Sequence, residues 1–67
     1  MSYEDKVARI LDEACYRYGN DLGAIANYLR KQGEKSLRVA QSQYDEHVFQ
    51  VYQNLGYKLL EASSNLY

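Results

Sequence analysis

The sequence predicts an all-α protein: a small three-helix domain of helix-turn-helix-like design with a long or broken C-terminal helix. Three observations carry that expectation. The 67 residues contain no proline, so nothing forbids uninterrupted helices. Apolar residues recur at spacings of three and four through most of the chain, with glycines between the runs. No stretch alternates in the manner of a strand, and none reads as an internal repeat or a low-complexity tract.

The first helix starts at a capping-box spacing, Ser2 with Asp5, and Glu4 and Asp5 suit the positive end of its dipole. Tyr3, Val7, Ile10, Leu11, Ala14 and Tyr18 then form one apolar stripe, and Gly19 is the natural left-handed stop. Asn20 and Asp21 can both cap the second helix, which carries Leu22, Ile25, Ala26 and Leu29 on one face with Tyr28 beside them. Gly33 is expected to end it, making Gln32-Gly33-Glu34 a tight turn. A third apolar row runs through Leu37, Ala40, Tyr44, Val48, Val51, Leu55, Leu59, Ala62 and Leu66, with Phe49, Tyr52 and Leu60 next to it. At Asn54-Leu55-Gly56 this run either continues or breaks into a further helix; the pattern fits both. The expected organisation is one domain over residues 1–67, with a core at 2–43 and a helical extension at 44–67.

Composition narrows function mostly by exclusion. A chain this short buries only about 60% of its unfolded surface, so it needs well-packed helices or a second chain. Disulfides cannot help, because Cys15 is the only cysteine, and no metal site is expected, because His47 is the only histidine. A lone cysteine, an acidic N-terminus without an apolar segment behind it, and no membrane-length apolar run point to a cytoplasmic protein, in a host cell if viral, with no membrane partner. Eight tyrosines stand against one phenylalanine and no tryptophan. About half of them are expected in the core and the rest at a contact surface.

Charge is uneven. Residues 1–29 hold five acids and three bases, 30–43 hold Arg30, Lys31, Lys35 and Arg38 against Glu34, and 44–67 are again net −2. The middle segment is therefore net +3, at the predicted turn and the start of the predicted third helix.

Catalysis is not expected, and no cofactor is implied. His47 adjoins Asp45 and Glu46 in sequence, but adjacent helical residues point apart, so an exposed or half-buried histidine is the plain reading. Cys15 has Asp12 one turn back, which does not lower a thiol pKa, and reads as a small semi-buried hydrophobe. Asp12-Glu13 and Asp45-Glu46 read as solvated charges, and four dispersed glycines make no phosphate loop.

Residues 3–38 resemble a SANT/Myb-type tri-helical repeat, a helix-turn-helix variant. The likeness rests on Tyr3-Glu4-Asp5 at the start of helix one, then Leu11, Ala14 and the Tyr18-Gly19 pair. It continues through Asp21, Leu22, Ile25-Ala26 and Leu29 to an apolar-Arg pair, Leu37-Arg38. The sequence departs from the family pattern where Leu22 replaces an aromatic, Gly33 a threonine cap and Gln41 the third aromatic, although Tyr44 lies one turn on. In this family Myb members bind DNA, and many less basic SANT members bind proteins.

Two functions follow as expectations. The first is a DNA-binding regulator, with Lys35, Arg38, Gln41 and Ser42 turned outward when Leu37, Ala40 and Tyr44 face the core. Arg38 and Gln41 would then read base edges while Arg30 and Lys31 hold phosphates. The remainder of helix three would form a homodimer interface giving two half-sites. Four bases are a thin electrostatic grip, and the acidic flanks oppose it. The second is a protein-interaction module, an accessory or inhibitory protein of phage or plasmid type, binding a protein partner through Tyr44, Phe49, Tyr52, Tyr57 and Leu60, with Tyr67 at the end.

Overall fold

A computed structural model describes the backbone of residues 3–66 and the side chains of residues 5–66. The expected Ser2–Asp5 capping box and the contact expected of Tyr67 lie outside the described residues, as does the Tyr3 side chain. Three helices follow one another: α1 (Tyr3–Tyr18), α2 (Leu22–Gln41) and α3 (Glu46–Leu66).

The first turn forms as its residues dictate. Gly19 takes φ +61°, a backbone state that costs glycine little, and its amide donates to the Cys15 carbonyl at 2.8 Å. Asp21 is the cap of α2, its carboxylate accepting from the Ala24 amide at 3.0 Å.

The second turn lies elsewhere than expected. Gln32-Gly33-Glu34 is helical, and α2 runs for 20 residues straight through it. The break comes at residues 42–45, without a glycine. There the Ser42 hydroxyl donates back to the Val39 carbonyl at 2.8 Å, which stops α2. Asp45 then caps α3, accepting from the amides of His47 (2.8 Å) and Val48 (3.3 Å). Asp45 is thus a capping residue rather than a merely solvated charge. Arg30, Lys31, Lys35, Arg38 and Gln41 consequently lie along α2 from its middle to its end, not at the start of a third helix, and Ser42 is its C-cap. α3 continues through Gly56 to Leu66, which resolves the ambiguity there.

α2 and α3 form an antiparallel hairpin with α1 laid against one side of it. Small residues set their separation. A Cβ placed on Gly33 would lie 2.9 Å from the Gly56 carbonyl oxygen, and one on Gly56 would lie 2.9 Å from the Gly33 carbonyl oxygen. Each glycine is also the hole for a leucine from the other helix: Leu60 sits over Gly33 and Leu37 over Gly56. Farther along, Ser36 Oγ donates to the Tyr52 carbonyl at 2.7 Å, and Ser63 Oγ donates to the Ala26 carbonyl at 2.6 Å. The paired use of glycine and leucine explains a local likeness missed in the sequence, where 33–40 (GEKSLRVA) and 56–63 (GYKLLEAS) share glycine, lysine and leucine in step.

The core proper is Ala14, Ile25, Leu29, Leu55 and Leu59, with Val7, Ile10, Leu11, Tyr28, Ala62 and Leu66 packed around it. Val7, Ile10, Leu11 and Ala14 of the α1 stripe therefore pack as their spacing predicts, while Tyr18 at its end is 39% exposed. Three further expectations fail. Leu22 is 55% exposed, because it opens α2 at the first turn, beyond the reach of α3's packing. Tyr44 is fully exposed, because the chain has already left the helix. Cys15 is exposed rather than semi-buried, since it follows Ala14 around α1 and turns off the buried stripe.

Gly56→Ala tests the close crossing. Overpacking of this kind costs about 1–3 kcal/mol, against a helix-propensity gain of about 1 kcal/mol. Urea unfolding should show a lower midpoint at unchanged slope. A raised midpoint would mean that the two backbones do not meet there.

Candidate nucleic-acid interface

Helical geometry sorts the basic residues of α2 into two rows. Lys31, Lys35, Arg38 and Ser42 follow one another at spacings of four, three and four, and all are exposed. Their row faces away from Ile25, Ala26, Leu29, Gly33, Ser36 and Ala40, the residues that α2 buries. Among the described residues, Lys31, Lys35 and Arg38 make no ion pair. At an axial rise of about 1.5 Å per residue, the three cations span about 10 Å.

Arg30 and Gln41 belong to the neighbouring row, with Glu34 between them. Arg30 donates to Asn27 Oδ1 at 2.8 Å and lies 3.8 Å from Glu34. It borders an open cleft of about 400 Å³ between the start of α2 and the end of α3, lined also by Gly23, Ala26, Asn27, Ser63 and Ser64. Ser42 keeps its row position, but its hydroxyl is engaged on the Val39 carbonyl. The structure thus keeps five of the six nucleic-acid candidates on α2, with Ser42 at its C-cap, and among the described residues separates three cations without an ion pair from a partly neutralised fourth.

The residues proposed for a partner or dimer surface do not share one face. Phe49, Tyr52 and Leu60 are half-buried in or beside the hairpin seam. Tyr52 supplies its carbonyl to Ser36, and its ring lies 5.7 Å from the Lys6 ammonium. Tyr57, 56% exposed, points off the back of α3, and Tyr44 stands alone in the second turn. Their apolar character was legible in the sequence; which of them the hairpin would consume was not.

A cluster between α1 and α2 escaped the sequence. The rings of Tyr18 and Tyr28 lie 5.8 Å apart, the Arg17 guanidinium is 5.7 Å from the Tyr28 ring, and Arg17 pairs with Glu13 at 2.9 Å. Burial first, then Glu13 as a neighbouring charge and hydrogen-bond acceptor, raise the Tyr28 phenol above its ordinary 10.0, with Arg17 pulling the other way. This is a strut between helices. The only signal for it was the placement of both tyrosines beside apolar stripes. His47 is exposed, and among the described residues no three His, Cys, Asp or Glu side chains are grouped to hold a metal. No helix among them is long and apolar enough to cross a membrane.

No family model, no curated protein and no solved structure matches this chain.

A phenol with a raised folded pKa contributes stability that is intact below its unfolded value and lost as pH rises past it. Wild type should therefore lose more stability than Tyr28→Phe from about pH 10 upward, where the unfolded phenol begins to ionise. Thermal melts of both proteins across that range check this; identical profiles would remove Glu13 and burial as influences on Tyr28.

Proposed function

We propose that this protein is a non-enzymatic binding protein that holds double-stranded DNA through the outer face of α2. The observation that supports the reading most is the row of Lys31, Lys35 and Arg38: three cations in register, unpaired among the described residues, on a helix held firmly from behind. Phosphates are the complement such a row fits, and counterion release supplies the free energy. Gly33/Gly56 packing backs α2 from behind, so little backbone freedom is lost on contact. The likeness of residues 3–38 to a SANT/Myb repeat belongs to this proposal through α1, the Tyr18-Gly19 turn and the first half of α2. A homodimer belongs to it too, since a second copy doubles a row that is short by itself.

Full exposure of Tyr44 favours a second reading, a protein partner, and the two separate by mutation. Fluorescence anisotropy with a labelled mixed-sequence duplex at low and moderate salt, with light scattering for mass, is the direct test. Each lost phosphate contact should flatten the slope of log K against log salt by about 0.9. Lys31→Ala, Lys35→Ala and Arg38→Ala combined should abolish measurable binding at moderate salt, while each exposed substitution alters stability by no more than about 0.5 kcal/mol in urea unfolding. Tyr44→Ala should leave DNA binding unchanged. No binding by the wild type even at low salt sinks the DNA reading and turns attention to a protein contact at Tyr44.

A further inference from the structure

We infer that two copies of this chain associate through the side of the α2/α3 hairpin that α1 leaves open, Phe49 of each entering a cleft on the other. This names the surface of the homodimer in the proposed reading and rests on that part of it only, since the contact needs no DNA.

The hairpin has two sides. On one, Val7, Ile10 and Leu11 of α1 pack against the core, and Tyr52 turns its ring to Lys6. The other side carries a row from each helix. On α3 the row is Phe49, Gly56, Leu60 and Ser63, at spacings of seven, four and three. On α2 it is Ala26, Arg30, Gly33 and Leu37, at spacings of four, three and four. Phe49, Leu37 and Leu60 are only half-buried there, and the cleft on this side is lined by residues of α2 and α3.

The two ends of the open face differ in bulk. Phe49 and Leu37 stand toward the 42–45 turn, whereas Gly23, Ala26, Ser63 and Ser64 at the far end border the cleft of about 400 Å³. The glycine crossing lies midway. Phe49 is seven residues before Gly56 and Ser63 seven after it, about 10 Å in each direction. A twofold axis over the crossing, lying in the contact plane and running across the helices, carries the bulky end of each copy onto the cleft of the other. An axis along the helices would set Phe49 level with Phe49 and cleft over cleft, leaving voids. Shape selects the first.

Charge selects the same arrangement, and a second copy as the occupant. Arg30 and Glu34 border this face with side chains 60% and 57% exposed, and their own pair is loose at 3.8 Å. Arg30 comes three residues before Gly33 and Glu34 one after it. The axis across the helices reverses α2 on its copy, so each Arg30 lies within about 3 Å, measured along the helix, of the second copy's Glu34. Two reciprocal pairs at the edge of an apolar contact fix its register and disfavour other partners. The axis along the helices would set both charges against the α3 row, which is uncharged. Twenty residues of α2 and two helix widths make a face of about 30 × 20 Å, comparable with the roughly 800 Å² per partner of a standard interface. The favoured axis also brings both rows of Lys31, Lys35 and Arg38 to one flank of the dimer, where six cations form a single surface.

The test is sedimentation velocity with light scattering on the full chain without DNA, from about 1 to about 100 μM, the weaker end of what interfaces of this size give. The expected mass is twice the 7.8 kDa of one chain. Arg30→Glu and Glu34→Arg each set like charges across the axis and should weaken association at least about tenfold. An equal mixture of the two should recover the dimer, because an acidic edge then meets a basic one. Ser64→Trp, at an exposed position on the cleft, should block the entry of Phe49 and leave a monomer of unchanged helicity. A wild type that stays monomeric at the highest concentration overturns the inference. So does a dimer indifferent to Ser64→Trp, or a mixture that associates no better than its components. Anisotropy on the same samples keeps the two ideas apart: a dimer that ignores DNA removes the DNA reading alone, and a monomer that binds it removes this inference alone.

Discussion

The backbone-to-backbone approach of α2 and α3 at Gly33 and Gly56 is the contact on which the other features of this structure depend. With no Cβ on either side, each carbonyl sits where a side chain would otherwise stand. Such proximity lets Leu37 and Leu60 reach across and fill the space above the opposite glycine. It also brings Ser36 and Ser63 within 2.7 and 2.6 Å of carbonyl oxygens on the other helix. Two glycines inside helices cost about 1 kcal/mol each in helix propensity. The offset comes from dispersion contacts over a long seam and from hydroxyls that satisfy their own polarity in a dry place.

A hairpin packed this way has little room for large buried side chains. Among the described residues, only Leu29 and Leu59 of the larger side chains are fully buried. α1 completes the core along one side, through the Val7, Ile10, Leu11 and Ala14 stripe, and its C-terminal end is tied to α2 by the Tyr18–Tyr28 rings under Arg17. Several tyrosines therefore do structural work at the edges of packing, where an apolar ring with a wet hydroxyl is suited. That use explains why a Tyr-rich composition does not produce a Tyr-rich surface on one face.

The same seam decides what α2 can offer outward. Its buried side is committed along the full length, so its charged residues are driven to the remaining arc in two rows. Glu34 neutralises one row through Arg30, and the other keeps three cations. Rigid backing gives that row a defined shape.

By itself the sequence determined the helical class, the packing of Val7, Ile10, Leu11 and Ala14 on α1, the stop at Gly19, a cap at Asn20 or Asp21 and the solvent exposure of Lys31, Lys35 and Arg38. Each of these follows from local rules: a 3.6-residue period, a left-handed glycine, a carboxylate one turn from a free amide, a charge that will not be buried. The fate of Gly33 was not local. A missing side chain suits a turn and a close helix crossing equally, and only the opposing Gly56 carbonyl tells them apart. Once Gly33 is read as a crossing, the turn moves to residues 42–45, where Ser42 and Asp45 make it without any glycine. The basic residues pass from the tip of one helix to the flank of another, and Tyr44 leaves the core. Tertiary structure decided these points because each depends on which backbone lies within 3 Å of a glycine, and a periodic pattern carries no record of that.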